Sequence, residues 1–318
     1  MFFDVAGIWV NPLIPPLVAF GISFLTSMGG VSGAFLILPF QVSVLGFTSP
    51  AVSPTNQLYN IIAIPSGVYR YIKEGRMVWP LTWIVIIGTL PGVFIGAIMR
   101  VNLLQNPETF KVFAGFILLY IGLRVFWDLI KKDANNNNSS EVRFQELVKN
   151  FKNNTLDSEQ TSNFKYPSTK VKIFNLKKLE YEFYGETYTV PTLKIMIISL
   201  LVGIIGGIYG IGGGAIMAPI YIAIFKLPVY TVAGAALMGT FITSVVGVVF
   251  YQAIAPFYPK LSVAPDWLLG TLFGAGGIAG MYCGARLQKF MPAKLIKWIL
   301  CISIFFIGVK YVLGLFKF

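Results

Sequence analysis

The sequence contains no histidine, and only 12% of its 318 residues are charged. The missing histidine excludes Ser-His-Asp triads, HExxH zinc sites and histidine proton relays. The low charge excludes an ordinary soluble domain, in which about a quarter of the residues are charged. Because 56% of the residues are hydrophobic and the mean hydropathy is +0.72, the composition predicts a polytopic protein whose main partner is the lipid bilayer.

Cysteine and buried acidic residues are also scarce. Cys283 and Cys301 lie in apolar stretches, which favours two buried thiols; a disulfide would require their helices to pack together. No acidic residue lies deep in an apolar stretch, which disfavours a cation site, and no GxxxxGK[ST] motif is present to bind ATP. We expect no cofactor, no metal site and, from residues 1–12, no secretory signal.

The formal net charge of +12 does not indicate a nucleic-acid partner. Lysine and arginine cluster at the ends of the apolar segments, where they set the orientation of a membrane protein. Outside residues 131–192 the chain has 15 Lys/Arg and 5 Asp/Glu. This excess favours an anionic substrate.

Glycine is abundant in two stretches that interrupt long apolar runs. Residues 206–219 read GGIYGIGGGAIMAP, and residues 28–39 read MGGVSGAFLILP. Each glycine costs a helix about 1 kcal/mol relative to alanine, so both stretches predict a helix that ends, a tight turn and a half-length helix. The start of such a half-helix presents free N–H groups to an anion. The alternative is close helix packing through small residues.

The two stretches belong to two related halves of the chain. A shift of 180 positions lays residues 28–39 on residues 208–219, so that glycines and prolines coincide. Paired broken segments of this kind are typical of the substrate site of a secondary transporter. We predict a first transmembrane repeat (1–132), a cytoplasmic insert (133–192) and a second transmembrane repeat (193–318).

Positive charges orient the two halves in opposite directions. In the first half a basic turn, Arg70 to Arg76, follows the third apolar segment, whereas in the second half the basic cluster from Arg286 to Lys297 follows the fourth. Because basic loops stay in the cytoplasm, equivalent loops are predicted on opposite sides, as in inverted repeats. The same bias predicts a cell-membrane protein with residues 131–192 in the cytoplasm and both termini outside.

The predicted fold is therefore an all-α polytopic membrane protein. It has two inverted repeats of about five segments each, with glycine-broken re-entrant hairpins, plus a small cytoplasmic insert. Within the insert, Glu141–Phe151 suits a short amphipathic helix, and Lys170–Val190 suits a hairpin that turns at Gly185 and Glu186.

Polar side chains beside both glycine turns are candidate substrate ligands. Asn56 and Asn60 share one helix face, and Thr240 and Thr243 lie at the matching place in the second half. Polar groups in a membrane face a partner or a water-filled cavity; the alternative is interhelical hydrogen bonding, worth about 0.6 kcal/mol. The predicted substrate-binding residues are Gly30, Ser32, Gly33, Asn56, Asn60, Gly210, Gly212, Gly213, Gly214, Thr240 and Thr243.

The glycine-rich turn followed by a proline in each half resembles the TauE/SafE-type sulfite exporter family, the TSUP permeases. Residues 233–237 (AGAAL) and 52–56 (VSPTN) look like its second conserved block. Ser32 departs from the family pattern, which has glycine there. The resemblance implies a transporter, an exporter in most such proteins, that moves sulfite or an organosulfonate by alternating access.

Two other functions were weighed from the residues alone. A passive anion channel would have the same composition, whereas an intramembrane enzyme would need a nucleophile or metal that the sequence scarcely offers, so we expect no enzyme. A second copy of the chain is a further candidate partner, in a homodimer. We also predict that Gly203→Ala is mild, and that Asn60→Leu weakens substrate affinity more than folding.

Overall fold

The protein is described from a computed structural model. It describes residues 1–28, 31–73, 75, 77–130, 169–183, 186–214, 216–225, 227–287 and scattered positions between 298 and 313. The described chain is mostly helical. The predicted helix at 141–151 lies outside the described residues.

The first half begins with a short hairpin and continues as helices. Its elements are β1 (Phe2–Phe3), β2 (Ile8–Trp9), α1 (Ile14–Met28), α2 (Ala34–Ser43), α3 (Val52–Lys73), α4 (Trp79–Asn102) and α5 (Pro107–Ile130). The hairpin turns at Gly7, whose φ is +67°, and the rings of Phe2 and Trp9 lie 5.4 Å apart.

A three-stranded sheet separates the first half from the second. Its strands are β3 (Lys170–Phe174), β4 (Leu179–Phe183) and β5 (Glu186–Val190), antiparallel in that order, and the helices that follow are α6 (Thr192–Tyr209), α7 (Met217–Phe225), α8 (Val229–Ile254) and α9 (Trp267–Leu287). The two sheets correct the all-α prediction. The amino-terminal sheet was missed because two-residue strands carry no periodicity, whereas the hairpin predicted within residues 170–190 is confirmed and extended by a third strand.

Within the described part of the chain, three helical stretches are long and apolar enough to cross a membrane. They are Trp79–Asn102, Thr192–Tyr209 and Thr231–Phe257. The ten-residue α2 is about 15 Å long, half of the roughly 30 Å hydrocarbon core, and α7 with nine residues is shorter still. The half-length segments predicted after both glycine stretches are therefore present as half-length helices.

Hydrogen bonds identify one end of the bundle, here called the first face. Ala51 N–H donates to Ser262 O (2.9 Å), and the Ser262 hydroxyl donates to Val5 O (2.8 Å). Asn102, at the end of α4, bonds the Tyr258 hydroxyl (3.1 Å). The amino-terminal hairpin, the starts of α3 and α9, and the ends of α4 and α8 thus share this face.

The sheet marks the opposite end, here called the second face. Thr169 N–H donates to Gly75 O (3.2 Å), in the turn between α3 and α4. The Tyr181 hydroxyl on β4 lies 2.9 Å from Thr231 Oγ1, near the start of α8. The second face therefore carries the α3–α4 turn, the start of α6, the start of α8 and the sheet.

Removing the buried Tyr181 hydroxyl gives a direct test of how the sheet is attached. In Tyr181→Phe the Thr231 hydroxyl keeps its bond to Pro228 O (2.9 Å), so we expect a loss of only about 1 kcal/mol in the free energy of unfolding. Thermal unfolding of the detergent-solubilised protein measures it, with the exposed Tyr69→Phe as control. An unchanged unfolding temperature would mean that this contact does not attach the sheet.

Two pairs of helices pack through glycines spaced four apart. On α4, a Cβ added at Gly88, Gly92 or Gly96 would run into α6, much of it backbone, and on α9 a Cβ at Gly276, Gly280 or Gly284 would meet α1. These contacts bring helix backbones together in the manner of GxxxG motifs. The α4–α6 and α1–α9 pairs are the most extensive helix contacts among the described residues.

Cys283 and Cys301 are both free, which confirms that they form no disulfide, but Cys283 is only half-buried and not buried as predicted. Cys301 is buried, with its thiol 3.7 Å from Gly122 O.

Candidate functional site

Both glycine stretches interrupt their helices. α6 ends at Tyr209, and Gly210 takes a left-handed conformation (φ +79°), which glycine adopts without strain. A Cβ at Gly210 would overlap the backbone of Ser53 on α3, so the turn also needs glycine for close approach. The chain then turns through residues 211–214, and a helix begins again at Met217.

Asn56 bridges the two turns. Its side-chain amide donates to Ala34 O (2.9 Å), at the start of α2, and to Gly210 O (3.0 Å), at the end of α6. Its oxygen accepts a hydrogen bond from Gln41 Nε2 (3.3 Å). One side chain on α3 thereby ties together the broken segments of the two halves.

Asn60, one helical turn further along α3, bridges the same two turns at a second point. Its amide donates to Ile211 O (2.9 Å) and to Ser244 Oγ on α8 (3.2 Å). Its oxygen accepts a hydrogen bond from Ser32, whose own oxygen accepts one from Ala34 N–H (3.2 Å). The polar face predicted from the i, i+4 spacing is therefore directed at the glycine turns.

The matching threonines of α8 bind the second turn. Gly213 N–H donates to Thr243 Oγ1 (3.0 Å), and the Thr240 and Thr243 hydroxyls donate to carbonyls of their own helix, Ala236 O and Gly239 O. A Cβ at Gly214 would overlap Ala236 O. α8 therefore lies directly against the turn.

The structure brings ten of the eleven predicted substrate-binding residues into one cluster at the centre of the bundle. Gly30 lies outside the described residues. The five polar members, Ser32, Asn56, Asn60, Thr240 and Thr243, are completely buried. Their role in binding a substrate stays a prediction.

The hydrogen bonds show what these side chains do in this conformation. Both asparagine amides donate to carbonyls that follow the end of α6, Gly210 O and Ile211 O, and such groups are costly to bury unpaired. The N–H groups of Gly212 and Gly214 make no hydrogen bond to another described residue. Backbone donors, rather than the asparagine amides, are thus the groups left to bind a ligand.

Sequence analysis missed Arg100, which is not among the predicted site residues. Arg100 belongs to α4, and its side chain is 0% exposed. Its Nε donates to Ser53 Oγ (3.3 Å), and Ser53 donates to Ile208 O (3.0 Å), so the guanidinium reaches the end of α6. No local pattern predicts these contacts, because they join residues that are far apart in the sequence.

The glycine spacing within α4 and α9 was also overlooked, although GxxxGxxxG is legible in the sequence at 88–96 and 276–284. The close packing of α4 and α6 also changes the expected effect of Gly203→Ala. A Cβ at Gly203 would overlap Thr89 O on α4, so the prediction that Gly203→Ala is mild is wrong.

Among the described residues, no group of three His, Cys, Asp or Glu could hold a metal ion.

Comparison with known proteins identifies relatives over almost the whole chain. Residues 16–311 match the family described as sulfite exporter TauE/SafE. The Bacillus subtilis (strain 168) protein named "Probable membrane transporter protein YunE" is 24% identical over 295 residues, which cover 90% of this chain and 92% of that protein. A second protein of that strain, "Probable membrane transporter protein YdhB", is 26% identical over 124 residues, 39% of this chain and 47% of that protein.

No solved structure matches the chain. The family match nevertheless agrees with the apolar helices and with the resemblance carried by the glycine turns. This chain is a multi-pass membrane protein that belongs to the TauE/SafE sulfite exporter family of membrane transporters.

Proposed function

We propose that this protein is a secondary transporter of a small sulfur-containing anion, such as sulfite or an organosulfonate, and that it exports this anion by alternating access. The observation that carries the proposal is the meeting of two broken helices at a buried polar cluster, where Asn56 and Asn60 join the turns. The family description, sulfite exporter, supports the choice of anion.

The chemistry of the turns suits a divalent or monovalent oxyanion. α2 and α7 start at the cluster, and each helix start supplies roughly half a positive charge. The N–H groups of Gly212 and Gly214, which bond no other described residue, supply donors in the turn before α7. These donors carry no full charge, so they avoid the cost of a buried lysine. Binding of moderate strength follows, which a site that must release its ligand requires.

We further infer that the halves are inverted repeats with re-entrant hairpins. The first helix of each half packs on the fourth helix of the other half: α1 packs on α9, and α6 packs on α4. The glycine stripes at 88–96 and 276–284 occupy equivalent places in the fourth helix of each half. The hairpin α1–α2 has both ends toward the first face, whereas α6–α7 has both ends toward the second.

Transport by the purified full-length protein in proteoliposomes tests the proposal. We expect saturable uptake of radiolabelled sulfite or of one organosulfonate in a panel that includes thiosulfate and sulfate, with counterflow when the same anion is loaded inside. Linear, non-saturating flux without counterflow would instead indicate an anion channel. Absence of flux for every anion in the panel would overturn the proposed substrate class.

The proposed topology places residues 131–192 in the cytoplasm, both termini outside and the first face outward. Two exposed positions on opposite faces test it in a cysteine-free background: Leu176→Cys, 79% exposed beside the sheet, and Phe257→Cys, 80% exposed on the first face. An impermeant thiol reagent added to intact cells should label position 257 and leave position 176 unlabelled until the cells are opened. Labelling at 176 alone would reverse the orientation.

We also propose, on the names of its relatives, that the protein is not an enzyme, and that the division at residues 132 and 192 separates two membrane repeats from an appendage. A stable homodimer stays a prediction that light scattering of the detergent-solubilised protein can test.

A further inference from the structure

Near the first face lies a buried cation, Arg100, that is not part of the asparagine cluster. Arg100 is 0% exposed, yet all its partners among the described residues are neutral: Ser53 Oγ at 3.3 Å, Ser49 O at 3.5 Å, Leu104 O and the ring of Phe110, 3.8 Å from Cζ. A charge inside a membrane protein is costly unless a charge of opposite sign compensates it.

The neutral partners explain part of this arrangement. The bond to Leu104 O caps the carboxyl end of α4, where a cation is favourable, and the Phe110 ring adds a cation–π contact. None of these contacts neutralises the charge. A further polar group beside the guanidinium is also unsatisfied, because the buried Ser49 hydroxyl has no hydrogen-bond partner.

Another unsatisfied group lies on α3, one helical turn beyond Ser53. Gln57 is completely buried, and neither atom of its amide has a hydrogen-bond partner among the described residues. It lies about 6 Å along the helix from Ser53 and about 4.5 Å from Asn60. On α8, Gly247 lies opposite Gln57, since a Cβ there would overlap its amide oxygen. Polar groups thus run from Ser49, just before α3, along α3 to Asn60.

The other end of α3, toward the second face, packs in an apolar cluster. Between the turns and the second face, α3, α8, α9 and the residues just before α4 contribute an apolar cluster of Ile64, Val68, Tyr71, Met77, Ala233, Leu237 and Met281. Such a cluster disfavours a hydrated anion. Polar groups therefore connect the turns with the first face along α3, and this apolar cluster lies further along the same helix.

We propose that Arg100 is a second anion site, at which a small oxyanion pauses on the path between the first face and the glycine turns. Arg100 and the Ser49 hydroxyl bind the anion there, and Gln57 contacts it as it passes to or from the turns. The planar guanidinium can donate hydrogen bonds to two oxygens of one sulfite or sulfonate. The anion also supplies the negative charge that the protein partners of Arg100 lack. This inference rests on the proposed transport of such an anion.

Sulfite transport by Arg100→Gln in proteoliposomes is the first test. We expect the apparent KM for sulfite to rise at least tenfold while Vmax changes less than twofold, and Arg100→Lys to lie in between. Arg286→Gln, which removes an exposed cation at the end of α9, is the matched control and should leave both constants unchanged. A lower Vmax with an unchanged KM would make Arg100 merely structural and overturn the proposal.

The second test does not depend on transport, and its first comparison keeps Arg100 in place. In a cysteine-free background, Ser49→Cys is labelled with an anionic and with a cationic methanethiosulfonate. The rate with the anionic reagent is divided by the rate with the cationic reagent, and this ratio is normalised to the same ratio measured at Phe257→Cys. We expect a normalised ratio of about 10 in favour of the anionic reagent, falling to about 1 when Arg100→Gln is added. A ratio near 1 with Arg100 present, or no labelling at position 49, overturns the inference.

The two tests separate the two proposals. A wild-type protein that carries no anion of the panel refutes the proposed function, while the labelling ratio still decides whether Arg100 attracts anions. A wild-type protein that carries sulfite, with an unchanged KM in Arg100→Gln, refutes only the second site.

Discussion

Replacing Gly213 with valine is expected to abolish anion transport, to below about 1% of the wild-type rate. A Cβ at this position would lie 2.5 Å from Thr89 Cβ and 2.8 Å from Thr89 Cγ2 on α4, closer than real side chains approach. The Gly213 N–H also donates to Thr243, so a displaced turn loses that bond. Flux of radiolabelled sulfite into proteoliposomes measures the effect.

Loss of folding has to be separated from loss of function. Gly21→Ala on α1 is the matched control, since a Cβ there meets nothing within 4 Å and alanine is the better helix former. The double variant Gly213→Ala with Thr89→Gly provides the second comparison, because removing the threonine side chain makes room for the new methyl group. If the clash with Thr89 displaces the turn, the double variant regains both thermal stability and transport. Normal flux in Gly213→Val would rule out an anion at the turn.

Local sequence signals predicted the helices closely. Both glycine stretches are followed by half-length helices, as predicted. Glycine and proline act over a few residues, so their effect can be read from the sequence. The amino-terminal hairpin escaped prediction, because two strands of two residues show no alternation and depend on burial of Phe3 in the folded protein.

The sequence predicted which residues form the site but not which hydrogen bonds join them. The asparagines could be assigned to one face, but their partners, Gly210 and Ile211, lie more than 150 residues away along the chain. Arg100 illustrates the same limit more strongly. A lone arginine near a helix end suggests an interfacial anchor, and only the packing of α3 and α6 against α4 buries it.

Replacing Asn60 with leucine is expected to lower both stability and substrate affinity. The change removes the donors to Ile211 O and Ser244 Oγ and leaves a buried carbonyl without that partner, so we expect the free energy of unfolding to fall by roughly 2–4 kcal/mol. Sequence analysis predicted mainly an affinity effect; the two hydrogen bonds add the loss of stability. Denaturation in detergent measures the first quantity, and the apparent KM for sulfite measures the second.

Gln57→Leu is the matched control for stability, because it removes an equally buried amide whose atoms have no hydrogen-bond partner. Removing unpaired polar groups relieves a desolvation penalty, so this variant should unfold at the same temperature as the wild type or higher. KM does not depend on the fraction of molecules that fold, so it isolates binding in Asn60→Leu. A lower unfolding temperature with an unchanged KM would make Asn60 a structural bridge between the two turns, with no part in holding the anion.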